Sequence, residues 1–160
     1  LVVKAPTFVD IMIDDRIVGF AETVLAPVGP SIILNNGEVI DIGPGESEQP
    51  IHRDDDAWNF ANATNPLIIN TIAALVDITP AMGATLVVPG SHRWEHDRMP
   101  TEDEIVTCDL PAGSALFSEV ILCMLEVPTS PLNTDVRCQR VSAAAGCDLL
   151  KTATPTYLSK

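Results

Sequence analysis

His52 and Asp54 stand two residues apart in the stretch Gln49-Pro50-Ile51-His52-Arg53-Asp54-Asp55-Asp56-Ala57-Trp58. Side chains alternate along an extended chain, so an imidazole and a carboxylate at this spacing leave the same side of a strand. One nitrogen and one oxygen donor on one face are two thirds of the two-histidine, one-carboxylate set that suits non-haem Fe(II), which keeps further positions open for a co-substrate and oxygen. The motif is short, and a surface turn with solvated acids is the plain alternative. Asp55 and Asp56 fit that alternative, or a role as hydrogen-bond partners of the ligands. The chain holds three histidines, and the other two, His92 and His96, follow Pro89-Gly90-Ser91. A loop histidine beside His52 and Asp54 would instead make a Zn²⁺ site.

The elements that must position this pair are mostly short. Residues 7–26 read as a helix, with Thr7 as cap, Asp10 near its positive end, and Pro27, Gly29 and Pro30 stopping it. A short β-type run at residues 31–34 is followed by Asn35-Asn36-Gly37, a turn signal, and by an alternating strand at residues 39–42. Residues 66–78 form a long apolar run whose β-branched content favours a buried strand. Further strands are expected at residues 85–88, 104–108 and 114–117, punctuated by Pro89-Gly90 and Pro111-Ala112-Gly113. Many short strands after one leading helix indicate an antiparallel sandwich or jelly roll.

The length of 160 residues fits one domain, expected over residues 1–160 with the β core at about 31–150. Nine basic residues against 22 acidic ones give a net charge of −13, which repels phosphate backbones and anionic membrane surfaces. Nucleic acid and membrane are therefore poor partners. Most of the acids are expected simply to solvate the surface. Cys108, Cys123, Cys138 and Cys147 form no close pair, so they read as reduced, mostly buried thiols of a cytoplasmic protein.

Four stretches carry a resemblance: residues 39–45, the segment from Gln49 to Asp54, Gly83-Ala84-Thr85-Leu86-Val87-Val88-Pro89-Gly90-Ser91-His92-Arg93-Trp94, and residues 111–117. Together they resemble the phytanoyl-CoA dioxygenase family, in particular its fungal and bacterial secondary-metabolism members. The resemblance implies a mainly β fold, a double-stranded β-helix with a flanking N-terminal helix, and an Fe(II)/2-oxoglutarate-dependent oxidation of a small organic substrate with O2. It implies His52 and Asp54 as iron ligands and Gln49, Thr85 and Arg137 as contacts to 2-oxoglutarate. For Arg137 the role is a planar fork on the distal carboxylate. The plain readings are a strand threonine for Thr85 and a surface ion pair for Arg137. Trp58 and Phe60 would line a substrate pocket or pack the core, and Trp94 would shield the site. The family also implies more chain before the leading helix.

The pattern breaks after residue 117. The family's second iron histidine belongs in a His-x-Gly-Gly-x-Asn stretch there, and the chain has Cys123-Met124-Leu125-Glu126-Val127-Pro128-Thr129 instead, with no histidine beyond His96. His92, His96, Cys123 and Glu126 are weak substitutes. Codons exist for residues 123–129 that, read from the third base of the Cys123 codon, give His-Ala-Gly-Gly-Ala-Asn. A displaced reading frame, a splicing error or a decayed gene near residues 118–131 is the expectation, with the strand register lost there because a slip exchanges the faces. The competing expectation is a non-catalytic jelly roll, a pseudoenzyme or a cupin-like binding module.

Overall fold

The computed structural model describes residues 6–42, 49–54, 65–119, 122–125 and 136–145. Two helices lead. α1 (Val9–Met12) and α2 (Asp15–Leu25) replace the single expected helix. The break falls where the Asp14 side chain accepts a hydrogen bond from the Arg16 backbone N–H at 2.9 Å and caps α2. A new N-terminus with a good capping residue competes with continuing the first helix.

Eight strands follow: β1 (Ile32–Ile42), β2 (His52–Arg53), β3 (Ile68–Ala74), β4 (Thr85–Val87), β5 (Val106–Thr107), β6 (Ala115–Ser118), β7 (Leu122–Leu125) and β8 (Val136–Ala145). They form two four-stranded sheets, ordered β1-β8-β3-β6 and β2-β7-β4-β5, with every recorded strand pairing antiparallel. Successive strands alternate between the sheets except at β4 and β5. This is the double-stranded β-helix, or jelly roll, that the sequence led us to expect.

β3 explains why the apolar run must be a strand. All seven of its residues are buried. On one side Ile69 packs with Leu25 of α2, joined by Val24, Val28 and Ile32. On the other side Ile72 and Ala74 pack with Ile78, Ala84, Ile40 and Leu116. A strand covered on both faces loses the apolar–polar alternation of a half-exposed one. The helix matches it with Ile17, Ala21 and Leu25 buried at four-residue spacing, and Phe20 meets Phe117 of β6 at 4.8 Å between ring centroids.

Two further expectations change. Asn35-Asn36-Gly37 is no turn: β1 runs straight through it, paired to β8, with a register shift between Leu34 and Asn36. The glycine serves packing, because a Cβ at Gly37 would collide with the Met12 side chain of α1. The second change is at residues 122–125, where the expected loss of strand structure does not occur. The apolar run Leu122–Leu125 pairs with β2 on one side and β4 on the other. Ladder partners on both sides outweigh the prolines that follow.

Candidate metal centre

β2 is short, yet it sorts its side chains cleanly. Arg53 is buried, and its Nη1 donates to the Ser91 carbonyl at 3.2 Å, tying the strand to the Pro89-Gly90-Ser91 loop. His52 and Asp54 alternate with it, and their facing atoms, Nε2 and Oδ1, lie 3.5 Å apart. The side chains are 33% and 13% exposed, so the pair is half-sheltered at an opening.

The far atoms of both side chains are held. His52 Nδ1 lies 2.8 Å from the Pro50 carbonyl oxygen. That carbonyl can only accept, so Nδ1 carries a proton and Nε2 is the ring nitrogen turned toward Asp54. Asp54 Oδ2 accepts from Asn70 Nδ2 at 2.6 Å. The pair thus presents one nitrogen and one oxygen, oriented from behind, which is the arrangement metal ligands need.

The ladder defines what stands beside them. His52 is directly opposite Cys123 of β7, and Cys123 is directly opposite Val87 of β4. Directly opposed residues in an antiparallel pair have Cα atoms about 4.5–5.5 Å apart, so rung 123 is the neighbouring position for a third donor. Thr85 is buried and stands two residues along β4 from Val87, on the same side of the strand. Gln49 is exposed on the approach to β2. The resemblance-derived residues Gln49, Thr85, His52 and Asp54 thus belong to one sheet and its entry. Arg137 lies in the other sheet, opposite Asp41 of β1; Arg140, three residues on, stands opposite Ile72 and Glu38. Trp58 and Phe60 lie outside the described residues.

The loop histidines do not complete a site. His92 Nε2 accepts from Arg93 Nε at 3.1 Å on an exposed turn, and His96 is exposed. Among the described residues no group of three His, Cys, Asp or Glu side chains could hold a metal ion, so the zinc alternative built on a loop histidine finds no site there. Trp94 is covered by the Arg98 guanidinium, 3.4 Å from the ring centroid. Arg98 in turn pairs with Glu104 at 2.5 Å. Hydrogen bonds from Thr101, and this arginine, hold the Glu104 carboxyl below its usual range. A cavity of about 340 Å³ opens beside β4, walled by Val87, Ser91, His92, Phe117, Glu119 and Phe20. Cys108 is half-buried and free, and burial pushes its thiol pKa up, so it is a weak nucleophile.

Sequence reasoning missed Asn70. Its signal is a lone amide inside Ile68-Ile69-Asn70-Thr71-Ile72, where a buried polar side chain demands a partner.

With fold and site in hand, comparison with known proteins is decisive on ancestry. The family model for phytanoyl-CoA dioxygenase matches residues 2–123. The chain belongs to the phytanoyl-CoA dioxygenase family. Dioxygenase cdmA of Talaromyces verruculosus is 38% identical over 89 residues, covering 52% of this chain and 30% of that protein. The iron/alpha-ketoglutarate-dependent dioxygenase ausU of Aspergillus calidoustus is 29% identical over 131 residues, covering 79% and 44%. The chain thus spans less than half the length of these curated relatives. Among solved structures, EctD from S. alaskensis with bound Fe is similar at a TM-score of 0.72 and 17% identity, covering 89% of this chain and 54% of that one. The epimerase SnoN, solved with Fe3+, alpha ketoglutarate and nogalamycin RO, is similar at 0.68 and 18%, covering 99% and 69%. In this member of the phytanoyl-CoA dioxygenase family, the match to the family model ends at the residue on the rung beside His52.

No helix among the described residues is long and apolar enough to cross a membrane.

Proposed function

We propose that this chain carries the metal strand of an Fe(II)/2-oxoglutarate-dependent dioxygenase that oxidises a small organic molecule in secondary metabolism, with an incomplete ligand set in the sequence as it stands. The observation that carries the reading is the His52–Asp54 pair, 3.5 Å apart, with both far atoms hydrogen-bonded. Imidazole and carboxylate fit a divalent metal as a two-donor handle. They do not make the full set, because rung 123 holds a cysteine and no further histidine follows His96. No catalytic step is derived through the metal for that reason.

When bound, Fe(II) with 2-oxoglutarate and O2 supplies oxidation of an unactivated C–H bond, with succinate and CO2 as co-products. The chain's own residues bind and orient. Thr85 and Gln49 are proposed to contact 2-oxoglutarate. A β8 arginine would hold its distal carboxylate: the resemblance favours Arg137. The register makes Arg140 the alternative, since its rung partner Ile72 belongs to the core between the sheets, whereas Arg137 opposes the acid Asp41.

The missing donor and the displaced-frame reading support each other. The codon-permitted histidine falls at the Cys123–Met124 boundary, beside the rung opposite His52. The gene's nucleotide sequence tests this directly, and absence of a histidine codon there in both neighbouring frames sinks it. The purified chain is the second test. It is expected to bind Fe(II) weakly and form no succinate, whereas a version carrying His-Ala-Gly-Gly-Ala-Asn is expected to do both. Tight iron binding and 2-oxoglutarate turnover by the unaltered chain would overturn the incomplete-set reading. A restored chain that stays inert would favour a non-catalytic jelly roll.

A further inference from the structure

We infer that Asn70 is a positioning residue for the metal pair, which holds Asp54 Oδ2 so that Oδ1 is the oxygen turned toward His52. The inference rests on the reading of His52 and Asp54 as metal ligands and adds a residue from the opposite sheet. Asn70 sits on β3, whose neighbours in the fold are β6 and β8; Asp54 follows β2 of the second sheet. Their 2.6 Å contact therefore crosses the barrel from one sheet to the other.

Three observations favour positioning over filling. Asn70 is only 3% exposed, within a strand whose remaining residues are Ile, Thr and Ala. A buried amide is poorer than leucine at such a site unless its hydrogen bond has a use. Its ladder partners are Ser118 of β6 and Ser142 of β8, so the register groups three polar residues at this level of the sheet. Finally, the amide contacts Oδ2, and the other oxygen, Oδ1, is the one that faces His52 Nε2. An amide N–H donor fixes the carboxylate plane, and having no charge of its own it would leave Asp54 a full negative charge to offer a cation.

The test is Co²⁺ titration of the purified full chain, followed by NMR line broadening, with thermal unfolding of the Co²⁺-free protein alongside. Asn70→Leu keeps the size and removes the donor. It is expected to weaken Co²⁺ binding about ten- to a hundredfold, the usual effect of losing a group behind a ligand, in a chain that still unfolds cooperatively. Asn70→Ser, which keeps a hydroxyl donor, is expected to fall between Asn70→Leu and the unaltered chain. If Asn70→Leu fails to fold, Asn70→Ala takes its place. Unchanged Co²⁺ affinity in Asn70→Leu while Asp54→Ala loses binding overturns the inference alone. If neither His52→Ala nor Asp54→Ala alters Co²⁺ binding, the metal reading falls and this inference with it.

Discussion

β2 and β7 share a rung but differ in what they bring to it. β2 contributes two ladder residues, and its donors are oriented by Pro50 and by Asn70 from the other sheet. β7 has four residues, ladder partners on both sides, and the apolar sequence Leu122-Cys123-Met124-Leu125. Strand pairing asks only for backbone groups and a suitable run of side chains, so it tolerates almost any apolar text. A metal site asks for particular atoms at particular rungs. β7 therefore supports the fold whatever chemistry its residues carry. The family match reaches rung 123, while the histidine that would complete the set is missing from the text beyond it.

The contrast breaks most forcefully at β7. Installing His-Ala-Gly-Gly-Ala-Asn in place of the six residues from Cys123, so that the histidine stands on the rung opposite His52, is expected to raise Fe(II) affinity by orders of magnitude, read by calorimetry. No gain would mean that the rung is not the third ligand position. On the β2 side, His52→Ala is expected to abolish metal binding while leaving the unfolding midpoint nearly unchanged, because the ring is partly exposed and outside the core. The converse holds for Leu25→Ala. It opens a cavity against Ile69, and is expected to cost about 2–5 kcal/mol in denaturant unfolding without altering the intrinsic metal affinity of the folded chain. Gly37→Val is expected to shift stability by about 1 kcal/mol or less, because the Met12 Cε it would meet ends a flexible side chain that can move aside. A loss above about 2 kcal/mol in the same measurement would show that Met12 cannot give way.

The smallest effect is at Asp14, far from both strands. Hydrogen bonds from the Arg16 side chain, then its backbone N–H, lower the Asp14 pKa from 3.8 to about 2. A depressed carboxyl pKa adds stability above the unfolded value and loses it as pH falls through the folded one. Asp14→Ala should lower the melting temperature slightly at neutral pH, less in high salt because the pair is exposed. That difference should shrink from about pH 4 downward and vanish below about pH 2.

Much of this was legible along the chain. The buried strand at Ile68–Ala74 follows from its run of Ile and Ala, and the pairing of His52 with Asp54 follows from alternation alone. Gly37 was misread because glycine beside two asparagines signals a turn locally, whereas its use is a close approach by α1 from 25 residues away. The single helix at 7–26 was misread for a related reason: a cap at Asp14 restarts the helix within an unbroken apolar pattern. Asn70 went unremarked because its partner is 16 residues back and on another sheet.

The sequence by itself determined the strand-rich class, the net charge, the His52–Asp54 spacing and the lack of any histidine after His96, since each depends on residue identity or near spacing. Only the tertiary structure decided that rung 123 faces His52, that Arg137 and Arg140 occupy different rungs, and that an amide from the opposite sheet stands behind Asp54. Register across a sheet and contact between sheets join residues far apart in sequence, and burial, not spacing, selects which of them meet.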